Sequence, residues 1–248
     1  MRLMLLFLLQ SILIPAYASD IKLAAATNLR FVLPELIGQF EQHYPQHKVN
    51  TSFAASGTLT SQIQHGAPFD VFLSASPEYI IRLQQTDFIK GNIVNFCRAQ
   101  LALFSRNGSG IILTKNLSGL KTALDNNSLN KLVIANPNHA PYGQLAKKEL
   151  ELHGLWDDVQ PHLLIAESAS QALQFSLSPQ TSAGFIPYSY VLQDKIAKRG
   201  NGIKLNVILQ QQAVMIKGGD SAASLFLVFL ESEQAKVIFL KHGFEVVN

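Results

Sequence analysis

The chain has 248 residues, 48% of them hydrophobic, with a formal charge of +3 and one cysteine. That size and apolarity can build a core without cross-links, and a lone Cys97 excludes an intramolecular disulfide. The near-neutral balance argues against a nucleic-acid surface. Its basic spots, Lys147-Lys148 and residues 195–199, carry no interleaved aromatics and read as solvated faces.

Arg2, the apolar run 3–14 and Ala16-Tyr17-Ala18 form a secretory signal pattern with an A-x-A cleavage site. The run is short for a membrane span, and an uncleaved anchor is the alternative reading. Residues 1–18 are therefore expected to be a signal peptide, with the mature protein starting near Ser19 in the periplasm. Residues 21–25 read as a buried strand. Leu29, Val32, Leu33, Leu36, Ile37, Phe40 and Tyr44 then keep the spacing of one helix face. Pro34 falls inside that pattern and predicts a kink. A strand at 49–54, a short helix at 59–63, a strand at 71–73 and a helix at 77–85 follow. Val94-Asn95-Phe96-Cys97 reads as a strand that buries an inert thiol.

A second unit repeats the rhythm, with strands at 100–105, 131–135, 163–166 and 183–186 and helices at 143–152 and 169–177. The chain returns through a strand at 213–217 and is expected to end in one helix, 221–242, with Gly243 beyond its C-cap. Strands alternating with helices argue for an α/β fold with largely parallel sheets.

Four strand-to-helix turns stand out, two per unit. They are Ala24-Ala25-Ala26-Thr27-Asn28, Phe53-Ala54-Ala55-Ser56-Gly57-Thr58, Pro141-Tyr142-Gly143 and Glu167-Ser168-Ala169-Ser170. Such a turn offers unpaired N–H groups, hydroxyls and the positive end of a helix dipole to an anion. One turn alone is commonly just an N-cap. Four of them, beyond the carboxyl ends of strands, predict a cleft between two lobes that holds one anion.

The turns at 24–28 and 56–59, the stretch Gly66-Ala67-Pro68-Phe69-Asp70-Val71-Phe72-Leu73-Ser74-Ala75, and Asn136-Pro137 with Ala140-Pro141-Tyr142-Gly143 resemble the molybdate-binding proteins of ABC transporters. Gly154-Leu155-Trp156-Asp157 and Ala183-Gly184-Phe185-Ile186 fit the same pattern. The resemblance runs from residue 21 to the C-terminus. It implies a two-lobed α/β periplasmic binding protein of type II, each lobe a mixed, mainly parallel sheet flanked by helices. It implies one lobe of residues 19–98 and 206–248, and another of 99–205. The implied ligand is molybdate or tungstate, bound as an oxyanion with no direct side-chain ligand to the metal and no cofactor. Thr27 and Ser56 would donate through hydroxyl and backbone N–H; Asn28, Tyr142 and Ala169 would donate mainly through backbone N–H. The implied partner is the membrane permease of an ABC importer, served by a monomer.

Two positions depart from the pattern. Pro187 stands where some family members carry a tyrosine, which makes Tyr188 a further candidate, for the ligand or for packing and the hinge. Ala169 stands where a larger aliphatic is usual. Asp70 has no partner carboxylate nearby and reads as structural, and His65, His139, His153, His162 and His242 have no metal spacing. The rival readings are a receptor for another oxyanion such as sulfate, and an enzyme of the porphobilinogen deaminase architecture, which would need an accessible cysteine. The A-x-A site carries a first prediction. Intact mass of the exported protein should correspond to a chain starting at or near Ser19 without lipid, and a mass retaining residues 1–18 overturns the cleaved-signal reading.

Overall fold

The computed structural model describes residues 19–247; the proposed signal peptide lies outside them. One curled sheet runs through the molecule in the order β2-β1-β3-β8-β4-β7-β5-β6. Its first side is β1 (Asp20–Ala26), β2 (Lys48–Ala54) and β3 (Val71–Ser74), and its far side is β5 (Lys131–Ala135), β6 (Leu163–Ala166) and β7 (Thr181–Pro187). β1 pairs in parallel with β2 and β3, and β5 pairs in parallel with β6 and β7. Two long antiparallel strands, β4 (Ile89–Arg106) and β8 (Gly200–Ile216), join the sides. The sheet is thus mixed, with its parallel pairs confined to the two ends.

Sequence periodicity had divided these two strands. The segments at 94–97 and 100–105 are one strand, and the strand at 213–217 is the tail of one that starts at Gly200. Register shifts in their pairing between Asn95 and Cys97 and between Gln100 and Ala102 interrupt the alternation that makes a strand readable.

Helices cover both faces: α1 (Leu33–His43), α2 (Ser56–Gln64), α3 (Pro77–Gln84), α4 (Ser118–Asp125), α5 (Pro141–Leu152), α6 (Trp156–Val159), α7 (Ala169–Ser176), α8 (Tyr188–Val191), α9 (Asp194–Ala197), α10 (Ser221–Leu230) and α11 (Glu233–Lys241). Pro34 does not kink α1. The helix starts at Leu33, so Pro34 occupies the first turn, where its missing N–H has no partner to lose. The expected terminal helix is two. It breaks at Glu231-Ser232, where the Ser232 side chain accepts from the Ala235 N–H and caps α11. Gly243 follows α11 with φ +79°, the left-handed conformation expected beyond a C-cap. Among the described residues no helix is long and apolar enough to cross a membrane.

Asp70 is structural as read: the Lys22 N–H donates to its carboxylate (2.7 Å) while the Asp70 N–H donates to the Lys22 carbonyl (2.9 Å). Cys97 is fully buried, and burial pushes its thiol well above its usual range. Phe40 fastens α1 to the C-terminal helices, its ring centroid 5.0 Å from Tyr44, 5.1 Å from Phe226 and 5.6 Å from Phe229. Phe40→Ala should therefore cost about 3–5 kcal/mol, read as a fall in the urea midpoint; an unchanged midpoint would remove Phe40 from the core argument.

Candidate functional site

The carboxyl ends of five strands open on one cavity. Thr27 and Asn28 follow β1, Ser56 follows β2, Ala75 follows β3, Tyr142 follows β5 and Ala169 follows β6; all line it. The five residues singled out from the sequence are thus brought together from both sides of the sheet. Ala26, Ala55, Ala140 and Pro141 complete the walls. The cavity measures about 10 Å³, on the order of what one water-sized occupant needs. That size leaves no room for a sugar, amino acid or peptide.

Each turn presents donors. Thr27 and Asn28 sit in a single 3-10 turn, Thr27–Leu29. Ser56 is the first residue of α2, three residues earlier than the sequence suggested, and is fully buried. Its Oγ accepts from the Ala75 N–H (3.1 Å), which leaves the hydroxyl hydrogen free to donate. Tyr142 is second in α5, and Ala169 is first in α7. The leading N–H groups of a helix have no carbonyl partner within it, and the dipole adds positive potential there. No charged side chain lines the cavity. The site is one of neutral donors.

Tyr142 is buried in the cavity wall. Its hydroxyl is buried without a hydrogen-bond partner, and so is Asn28 Oδ1. Desolvation raises the Tyr142 phenol well above its usual range, so the group stays neutral. The Asn28 side chain beside it favours the ionised phenol, a smaller effect than that of burial. Asn28 Nδ2 donates to Gln211 Oε1 (2.9 Å), and Gln211 Nε2 donates to the Ala75 carbonyl (3.2 Å). This amide chain braces the floor of the cavity against β8.

Tyr188 is not in the walls. Its ring lies beside Lys204, with Nζ 5.5 Å from the centroid, so its place is packing. Tyr190 instead reaches the site region, as its hydroxyl donates to the Thr27 carbonyl. Other bonds also cross from one side of the sheet to the other. The Gly57 N–H donates to the His139 carbonyl (2.9 Å), Arg30 Nε donates to Ser170 Oγ (3.1 Å), and Gln144 Nε2 donates to the Tyr79 hydroxyl (3.3 Å). The two halves are closed on the cavity. Sequence reading missed these crossings because each partner is more than 60 positions from the other, and none carries a spacing signal.

A family model described as bacterial extracellular solute-binding protein matches residues 21–245. The molybdate-binding protein ModA of Rhodobacter capsulatus is 30% identical, covering 96% of this chain and 93% of that protein. Its namesake from Azotobacter vinelandii is 31% identical over 92% and 91%. The solved periplasmic molybdate-binding protein of Azotobacter vinelandii superposes with a TM-score of 0.80 at 27% identity, covering 92% of this chain and 100% of that one. The sulfate-binding protein SubI of Mycobacterium tuberculosis superposes with a TM-score of 0.79 at 15% identity, covering 93% of this chain and 88% of its own, a likeness of fold alone.

Gly57 makes the closed arrangement testable. A Cβ there would stand 2.8 Å from both Cβ and the carbonyl oxygen of His139. Gly57→Ala should leave the ligand-free melting temperature equal or higher, since alanine favours helix. It should also weaken anion binding by about tenfold or more. Calorimetry paired with melting curves reads both; unchanged affinity would mean that binding does not use this contact.

Proposed function

The chain belongs to the bacterial extracellular solute-binding protein family, and we propose that it is a periplasmic receptor that captures molybdate, and tungstate comparably, for the permease of an ABC importer. The observation that carries this is a small cavity walled by neutral donors, without a charged side chain. Molybdate is fully ionised at neutral pH and offers acceptors only, so a donor-only site suits it. Neutral dipoles hold a dianion while leaving it releasable. Phosphate carries a proton at neutral pH and calls for an acceptor. The lining side chains offer one unpartnered amide acceptor, Asn28 Oδ1, and no carboxylate. Sulfate matches molybdate in hydrogen bonding, so size must separate the two.

The lobes we infer are residues 19–98 with 206–248, and residues 99–205. Both boundaries fall inside continuous strands, β4 and β8. The register shifts in their pairing around residues 95–102 suit a hinge, since a bulge bends a strand without breaking it. Closure of two lobes by hinge bending is the expected response to the ligand. Both family and fold are those of a substrate-binding protein. Burial of Cys97 removes the accessible cysteine that the enzyme reading required.

Calorimetry against molybdate, tungstate, sulfate and phosphate tests the proposal: molybdate and tungstate should bind alike, sulfate more weakly, and phosphate least. A hydrogen bond to a charged group is worth about 1.5–3 kcal/mol, so Ser56→Ala and Thr27→Val should each cost about tenfold to 150-fold in molybdate affinity. Tyr142→Phe should cost much less, because its contact is assigned to the backbone N–H. If Tyr142→Phe is the worst of the three and Ser56→Ala is neutral, the site assignment fails even where molybdate binds.

A further inference from the structure

Tyr190 stands outside the cavity, yet its hydroxyl reaches the backbone of the turn that carries Thr27 and Asn28. It lies in α8 on the far side of the sheet, fully buried. Its oxygen is 3.0 Å from Ser170 Oγ, and its hydroxyl donates to the Thr27 carbonyl. Arg30 Nε donates to Ser170 Oγ (3.1 Å), and because the Thr27 carbonyl can only accept, it takes the one phenol proton and the directions of the chain are fixed. Arg30 donates to Ser170, Ser170 to Tyr190, and Tyr190 to Thr27. This run of bonds begins on one residue of the 27–30 turn, passes through the opposite side of the sheet, and ends on another residue of the same turn. Its source is a cation, and successive bonds of one sense polarise each other. Ser189 Oγ adds a long contact to the Asn28 carbonyl (3.5 Å). The Tyr190 ring packs edge-on against Phe31, with centroids 4.9 Å apart.

The consequence lies in the peptide plane. The carbonyl of Thr27 and the N–H of Asn28 belong to one trans peptide unit and point in opposite directions. That carbonyl already accepts from the Arg30 N–H within the turn (3.0 Å), so a second donor on it locks where the Asn28 N–H points and strengthens it as a donor. We propose that Tyr190 is a positioning residue for anion binding: on closure its hydroxyl fixes the Thr27–Asn28 peptide so that the Asn28 N–H is aimed into the cavity. Closing the cleft and completing the donor set are then one event. The inference rests on the receptor reading, because it needs an anion in that cavity. The Tyr190 phenol is raised above its usual range by burial, which keeps its proton in place at any physiological pH.

The test compares wild type with Tyr190→Phe, which keeps the ring, its burial and the Phe31 contact. Molybdate affinity should fall about three- to tenfold, the worth of one neutral hydrogen bond. The loss should appear in the off-rate, since the bond forms after encounter. In the molybdate complex the Asn28 amide proton should move upfield, with the Ala169 amide unmoved, a signature that a loss of packing does not give. Phe31→Leu, which keeps the hydroxyl, separates the two causes. If it displaces the Asn28 amide as far as Tyr190→Phe does, ring packing sets the turn and the proposal fails. A Tyr190→Phe protein with wild-type off-rate and an unmoved Asn28 amide overturns it too. A wild-type chain that binds no oxyanion overturns the receptor reading itself, and this inference with it.

Discussion

A small anion held without a countercharge must be surrounded. Each neutral N–H or O–H supplies only part of what a full positive charge would, so several must converge, and solvent must be kept out for each to count. This requirement organises the molecule. Five strands stop at one place, and short turns, the longest of them residues 136–140 after β5, lead into helix or 3-10 geometry, which leaves leading N–H groups unpaired. Alanines stand at Ala26, Ala55, Ala75, Ala140 and Ala169, so the backbones approach closely enough to share one ion. Larger side chains at the same positions would hold the turns apart.

The same requirement explains why neither side of the sheet suffices alone. Thr27, Asn28 and Ser56 come from one side, and Tyr142 and Ala169 come from the other. Convergence therefore has to be made by closing, and the closing contacts lie beside the donors rather than far from them. The Gly57 N–H next to Ser56 is spent on the His139 carbonyl, three residues before Tyr142. Gly143, next to Tyr142, lies so near β5 that a Cβ there would stand 2.1 Å from the Ala135 carbonyl oxygen. Glycine at these two positions serves close approach in a helix's first turn rather than an unusual backbone angle.

Local chemistry made much of this legible. The strands at 131–135 and 163–166 were read with the bounds they have, because short apolar runs between turn residues have one reading in an α/β chain. The donor turns were legible for the same reason, since a hydroxyl or small residue at a strand-to-helix junction leaves a local signature. What escaped was non-local. β4 and β8 carry too many polar residues to read as strands through Gln210, Gln211 and Gln212, yet they pair across the whole molecule. Helices α4, α8 and α9 are of eight, four and four residues, short enough that one or two turns give no period. Tyr190 carries no signal of its own in the sequence, whereas Tyr188 adjoins Pro187, the position that departs from the pattern. Two residues of a four-residue helix lie on opposite faces, so the tyrosine that faces the cleft is the second of the pair, and the first packs beside Lys204.

With hydrogen-bonding pattern shared by every fully ionised tetrahedral dianion, discrimination among them falls to the spacing of the walls. That spacing is set here by backbone, because alanine side chains stop at Cβ and Ser56 is held by the Ala75 N–H. A backbone wall yields less than a side-chain wall, since it is tied into strands and helices on both sides of each turn. Asn28 is braced in turn by Gln211, whose amide donates to the Ala75 carbonyl, so the floor joins β1, β3 and β8. A smaller ion in such a site cannot draw all the turns inward at once. It keeps its full charge but forfeits some of its hydrogen bonds, and each one forfeited leaves an aligned donor unpaired. A site of this kind discriminates through the rigidity of its turns rather than through any residue that reads the ion's identity, which fits a lining of small residues and not of charged ones.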